Sequence, residues 1–120
     1  MALPGGESLL LLHNQRCSKS RAAESLLEER GARFELRLYL EEPLSLAELF
    51  DLRRRLDRPA REWARRGEPA HSAAGLGPDS DDAAVLAAIA AHPELLERPI
   101  LVCGDRAVVG RPPEKVLELL

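Results

Sequence analysis

The stretch 8–12, "SLLLL", reads as a strand covered by protein on both faces, because an unbroken apolar run of this length has no side left for water. The residues after it change period. In "CSKSRAAESLLEERG", Ala22, Ala23, Leu26 and Leu27 fall at helical spacing, and Gly31 supplies the stop. "RFELRLYL" then alternates, with Phe34, Leu36, Leu38 and Leu40 on one side and Glu35, Arg37 and Tyr39 on the other, which predicts a second strand with one wetter face. Ser45 and Glu48 have the spacing of a capping box and start a helix running to about Leu56. Pro59 opens a second helix, and "SDDAAVLAAIAAH" forms a third, with Asp81 and Asp82 at its positive end and His92 where a helix C-terminus favours it. "ILVC", the turn residues "GD" and "RAVVG" predict a hairpin. "PPEKVLELL" predicts a closing helix with proline in its first turn.

A strand, a helix and a second strand imply a right-handed parallel crossover. Residues 41–97 form a helical block, and the whole order is β-α-β, helical block, β-β-α. That is the order of a thioredoxin-like fold with a helical insertion: an α/β domain with a mixed four-stranded sheet. With Gly104 and Asp105 as a two-residue turn, the hairpin pairs Cys103 with Arg106, Val102 with Ala107, Leu101 with Val108, Ile100 with Val109, Pro99 with Gly110 and Arg98 with Arg111.

Length limits this to one domain, residues 1–120, and 45% hydrophobic residues suffice for one core. The net charge of -3 and a pI near 5.6 argue against general affinity for nucleic acid or anionic membrane. Any anion site must therefore be local. No apolar stretch approaches the roughly 20 residues of a spanning helix, and "MALPGGES" lacks the basic start and long apolar region of a signal peptide, so a cytoplasmic protein is expected. Cys17 and Cys103 make no C-x-x-C pair, and neither a disulfide scaffold nor a metal site is signalled.

The chemistry concentrates in "HNQRCSKSR". Cys17 stands at the C-terminal end of the first strand and the N-terminus of the first helix, where unpaired amides and the helix dipole stabilise negative charge on sulfur. Arg16, Lys19 and Arg21 add positive charge nearby. Ser20 is one helical turn on, placed to donate its hydroxyl to the sulfur, and His13 ends the strand as a base or as a residue that orients the loop. The facing pair Arg98 and Arg111 points the same way: like charges directly opposed destabilise two strands, so a carboxylate of the protein or an anionic ligand should lie between or above them. The hairpin's open end lies beside the strand end that carries Cys17. "RRRLDRPAREWARR" holds seven arginines, which read mainly as a solvated helix face, while Trp63, Phe34 and Phe50 read as core aromatics.

Together "HNQRCSKSR", "LYLEEP", "ERPILV" and "GRPPEKVLELL" resemble the glutaredoxin-coupled arsenate reductase (ArsC) family and its bacterial paralogues, from about residue 8 to 120. The resemblance implies a thioredoxin-like fold, Cys17 as nucleophile, His13 and Ser20 as residues that activate it, and an arginine triad for the oxyanion. Arg98 and Arg111 carry over by motif. Arg65 is the third by ungapped placement, with Arg66 the alternative register. A cis bond before Pro99 is also implied. The sequence departs from the family pattern at His71, where an aromatic residue is usual, and in ending soon after the last helix.

Reduction of arsenate to arsenite takes two electrons, so Cys17 needs a second thiol. Cys103 is too distant, since the strand from Ile100 runs away from the site at about 3.3 Å per residue, whereas a disulfide needs α-carbons within about 7 Å. The expected partners are therefore arsenate or a similar oxyanion, glutathione as co-substrate and glutaredoxin, with no tightly bound cofactor and no metal. Two other classes stay open. One is a regulator that binds RNA polymerase, although C-x-x-S here cannot form the sensing disulfide of C-x-x-C regulators. The other is a glutathione-linked thiol oxidoreductase acting on another substrate.

Overall fold

The computed structural model describes residues 3–120; Met1 and Ala2, at the head of the opening stretch read above as no signal peptide, lie outside them. Strands β1 (Leu9–His13), β2 (Phe34–Leu38), β3 (Ile100–Cys103) and β4 (Arg106–Val109) form one sheet in the order β2-β1-β3-β4. β1 pairs with β2 in parallel and with β3 antiparallel, and β3 pairs antiparallel with β4. This is the thioredoxin-like order with a mixed four-stranded sheet. The hairpin register is the expected one, from Cys103 opposite Arg106 to Ile100 opposite Val109, and the Gly110 N–H continues it by donating to the Pro99 carbonyl at 2.8 Å.

The leucines of β1 run unbroken because each face of the strand is covered. Leu10 and Leu12 belong to a core with Leu49, Leu52, Trp63 and Leu86 on the side of the helical segment, while Leu11 packs with Ala23, Leu27 and Val116 on the other. Helix α1 (Ser18–Glu29) buries Ser20, Ala23 and Leu27, so its inner stripe includes a serine and leaves Ala22 exposed. Gly31, at φ 69°, ends it in the left-handed conformation that favours glycine. Between β2 and β3 come α2 (Leu46–Leu56), a 3-10 turn at Ala60–Trp63, the short α3 (Pro69–Ala73), α4 (Asp82–Ala91) and a 3-10 turn at Pro93–Leu95. The capping box is present in full: Ser45 Oγ accepts from the Glu48 N–H at 3.1 Å and Glu48 Oε1 from the Ser45 N–H at 3.0 Å.

Several expectations fail for identifiable reasons. The face of β2 read as wetter is the buried one, with Arg37 and Tyr39 inside and Leu36 and Leu40 exposed. Arg37 tolerates burial because Glu48 binds it bidentately, at 2.6 and 2.9 Å, and the carbonyls of Glu42 and Pro43 take further N–H groups at 3.0 and 2.8 Å. Arg55, read as solvated, is buried: it holds Asp51 and donates to the carbonyls of Pro4 and Gly104 at 2.5 and 2.6 Å. Phe50, read as core, is 47% exposed. The helix expected from Pro59 is a single 3-10 turn, and the C-terminal segment Pro113–Leu119 is 3-10 rather than α. α3 has no counterpart in the periodicity.

Candidate active site

β1 delivers His13, and the chain then turns on itself. The Cys17 N–H donates to the Asn14 carbonyl at 3.0 Å, the Arg16 N–H to Asn14 Oδ1 at 3.0 Å, and the Cys17 carbonyl receives the Arg21 N–H at 3.0 Å. Cys17 is thereby the N-cap of α1, 9% exposed, with a side chain that makes no capping bond. Its sulfur is left for other chemistry at the positive end of a helix dipole. Arg16, Lys19 and Arg21 lie on the exposed side of the loop, and Arg21 braces it by donating to the Gln15 carbonyl at 2.9 Å.

Ser20 takes a different partner from the one expected. Its hydroxyl oxygen accepts from the Asn14 N–H at 3.0 Å and lies 2.7 Å from Nδ1 of the buried His13. Burial lowers the His13 pKa, with Glu24 pulling it up and Arg21 pushing it further down. In neutral His13 with its proton on Nε2, Nδ1 accepts the Ser20 hydroxyl hydrogen, so that hydrogen is not free for the Cys17 sulfur. Nε2 stands 3.7 Å from Glu24 Oε1. The pair ties the strand end to the first turn of α1 and fixes the loop between them.

The arginines arrive from two directions. An isolated bridge joins Ala64 to Leu96: the Arg65 N–H donates to the Leu95 carbonyl at 2.7 Å and the Glu97 N–H to the Trp63 carbonyl at 3.0 Å. It sets Arg65 alongside the segment that enters β3 through Arg98 and Pro99. Arg65 turns toward Glu68 and Glu97, at 3.0 and 3.8 Å, whereas Arg66 is exposed and lines a different depression with Arg61 and His71. Across the hairpin Arg111 Nε donates to the Arg98 carbonyl at 2.9 Å and pairs with Glu97 at 3.1 Å. Both Arg98–Pro99 and Arg111–Pro112 are cis, the second unanticipated. Gly110 permits the close approach of these strands, since a β-carbon there would meet Pro99 Cγ at 2.8 Å.

The expected anion between the facing arginines is thus supplied in part by Glu97. Arg98 is different. Its Nε and Nη1 are buried with no hydrogen-bond partner. Desolvated guanidinium donors without an acceptor are costly, and an oxygen-rich anion is the chemical complement of such a group.

Tyr39 is the residue that periodicity assigned elsewhere. Only 2% exposed, its phenol is pushed well above the usual tyrosine value by burial, against a hydrogen bond from Asn14 and the charge of Arg65, with Cys17 and Glu97 adding to the upward push. Tyr39 therefore senses both the cysteine loop and the arginine cluster. The signal for it was present in "LYLEEP", but not in the alternation. Cys103 lies opposite Leu9, at the far end of β1 from His13, about 13 Å away at the usual strand rise. Among the described residues no group of three or more His, Cys, Asp or Glu is placed to hold a metal ion, and no helix is long and apolar enough to cross a membrane.

Residues 12–119 match the ArsC family. The chain is 47% identical over 112 residues to a protein of Neisseria meningitidis named arsenate reductase, covering 92% of this chain and 96% of that one. It is 43% identical to the Escherichia coli protein YfgD, named as uncharacterized, over 92% of this chain and 94% of the relative. Among solved structures, arsenate reductase from Vibrio cholerae superposes with a TM-score of 0.89 at 41% identity, covering 97% of this chain and all of that one. Fold, matched span and relatives agree: this chain belongs to the ArsC family.

Proposed function

We propose that the protein reduces arsenate to arsenite through Cys17, with glutathione as the second thiol. The observation that carries this reading is Arg98, whose buried, unpartnered Nε and Nη1 sit across the hairpin from Arg111 and at the end of the sheet where β1 leads into the Cys17 loop. Relatives named arsenate reductase over nearly the whole chain support the choice of oxyanion.

In this scheme Arg98, Arg111 and Arg65 hold tetrahedral arsenate, and the Cys17 thiolate attacks arsenic, forming a sulfur–arsenic bond as an oxygen leaves as water. Glutathione then attacks the Cys17 sulfur. The sulfur–arsenic bonding pair departs with arsenic, which becomes arsenite, and a mixed disulfide between Cys17 and glutathione remains. Glutaredoxin removes the glutathione by thiol exchange. The cleft of about 240 Å³ bounded by His13, Asn14, Arg16, Leu38 and Glu41 offers room for a second reactant beside the cysteine loop. His13 and Ser20 hold that loop, and no tightly bound cofactor is required.

The test is a coupled assay with arsenate, glutathione, glutaredoxin and a nicotinamide-driven glutathione reductase. Cys17→Ser should abolish turnover and Cys103→Ser should leave most of it. Equal loss from both would exclude the single-thiol route.

A further inference from the structure

Glu97 lies among the arginines that read as the oxyanion site. Its Oε1 accepts from the Arg98 backbone N–H at 3.2 Å and pairs with Arg111 Nε at 3.1 Å and Arg65 Nε at 3.8 Å. One oxygen thus lies near the guanidinium groups of Arg111 and Arg65 and accepts from the Arg98 backbone, while leaving the Arg98 guanidinium untouched. The other carboxylate near the cluster, Glu68, reaches Arg65 at 3.0 Å. Three guanidinium charges set against these two carboxylates leave one net positive charge. Arg98's buried nitrogens remain without a partner.

We propose that Glu97 is a resident competitor of the substrate: its carboxylate lies against Arg111 and Arg65 and competes with the oxyanion for their charge, and this sets how tightly and how selectively the site binds. The inference deepens the oxyanion reading above and rests on it. A ligand attracted by charge alone meets a cluster already largely neutralised, so it gains little by approaching. A tetrahedral anion offers several oxygens at once, to the orphaned donors of Arg98 as well as to the guanidinium groups that Glu97 neutralises, and so offsets the competition. Selection then rests on the number and placement of acceptors rather than on net charge.

Calorimetric titration with sulfate at constant ionic strength tests this without turnover, on the unchanged protein, Glu97→Gln, Glu97→Ala and Arg98→Ala. Glutamine keeps the size and one acceptor oxygen but removes the competing charge. Glu97→Gln and Glu97→Ala should each bind sulfate about tenfold more tightly than the unchanged protein, the scale of one lost charge-assisted contact. In turnover the KM for arsenate should fall in Glu97→Gln by more than kcat changes. Sulfate affinity that is equal or weaker in both Glu97 variants, with Arg98→Ala impaired, would overturn the competitor role while leaving the oxyanion site standing. Sulfate binding that is indifferent to Arg98→Ala would overturn the site itself, and the competitor with it.

Discussion

The backbone N–H of Arg65 donates to the carbonyl of Leu95 at 2.7 Å, and through this bond the long helical segment is fastened to the stretch that leads through Arg98 and Pro99 into β3. Arg65 is 33 positions from Arg98 in sequence, so its place beside the hairpin depends on this bridge and on the buried Trp63 next to it.

Arg65 and Arg66 are adjacent but should not be interchangeable. Only Arg65 faces Glu97 and the cluster, while Arg66 is exposed. Sulfate should raise the melting temperature of Arg66→Ala about as much as that of the unchanged protein and raise Arg65→Ala measurably less. The opposite order in a thermal-shift titration would mean that Arg66 faces the anion.

Ser20→Ala removes the group that satisfies both His13 Nδ1 and the Asn14 N–H. Because both lie in a protected setting, the change should cost about 1–3 kcal/mol of stability, measured by urea denaturation. A loss below the resolution of the method would show that these groups find water instead.

Burial also gives His13 a pH signature. Its folded pKa is lowered from 6.5, so between that value and the lower folded one the unfolded chain binds more protons and acid favours unfolding. Stability from this source is complete above about pH 6.5 and declines as pH falls toward the folded pKa. His13→Asn, which cannot titrate, should lose less stability than the unchanged protein between about pH 7.5 and about pH 5.5. Parallel pH profiles for the two would contradict the burial argument.

Arg37 and Glu48 form a buried, bidentate pair with side chains 8% and 2% exposed. Glu48→Ala leaves Arg37 charged and uncompensated, and should cost about 3–5 kcal/mol by denaturant melts. Burial opposes charge on Glu48, but the Arg37 and Ser45 hydrogen bonds hold its pKa below the ordinary 4.5. The stability this gives is present above about pH 4.5 and is lost as pH falls through the folded value, a window below that of His13. A Glu48→Ala protein as stable as the unchanged one would mean that the pair contributes nothing net.

What could be read from sequence was mostly local. The Ser45–Glu48 capping box, the Gly31 stop and the hairpin pairing each depend on a few adjacent residues, and each is found as read. Arg98 opposite Arg111 follows from turn length alone. Contacts distant in sequence were not legible. Arg55 is buried because its guanidinium meets carbonyls 49 to 51 residues away, and Tyr39 is buried because it shares the face of Arg37, which the distant Glu48 allows to turn inward. Glu97 escaped notice for the same reason: Arg65 and Arg111 approach it only once the bridge at Ala64 and the hairpin have both formed.

The most direct test of the account is the mass of the protein after incubation with arsenate and glutathione, glutaredoxin being left out. If Cys17 attacks arsenate and glutathione then attacks its sulfur, one glutathione should accumulate in disulfide linkage on Cys17, should require arsenate, and should leave Cys103 free by peptide mapping. Glutathione bound equally without arsenate, or bound at Cys103 rather than Cys17, would contradict it.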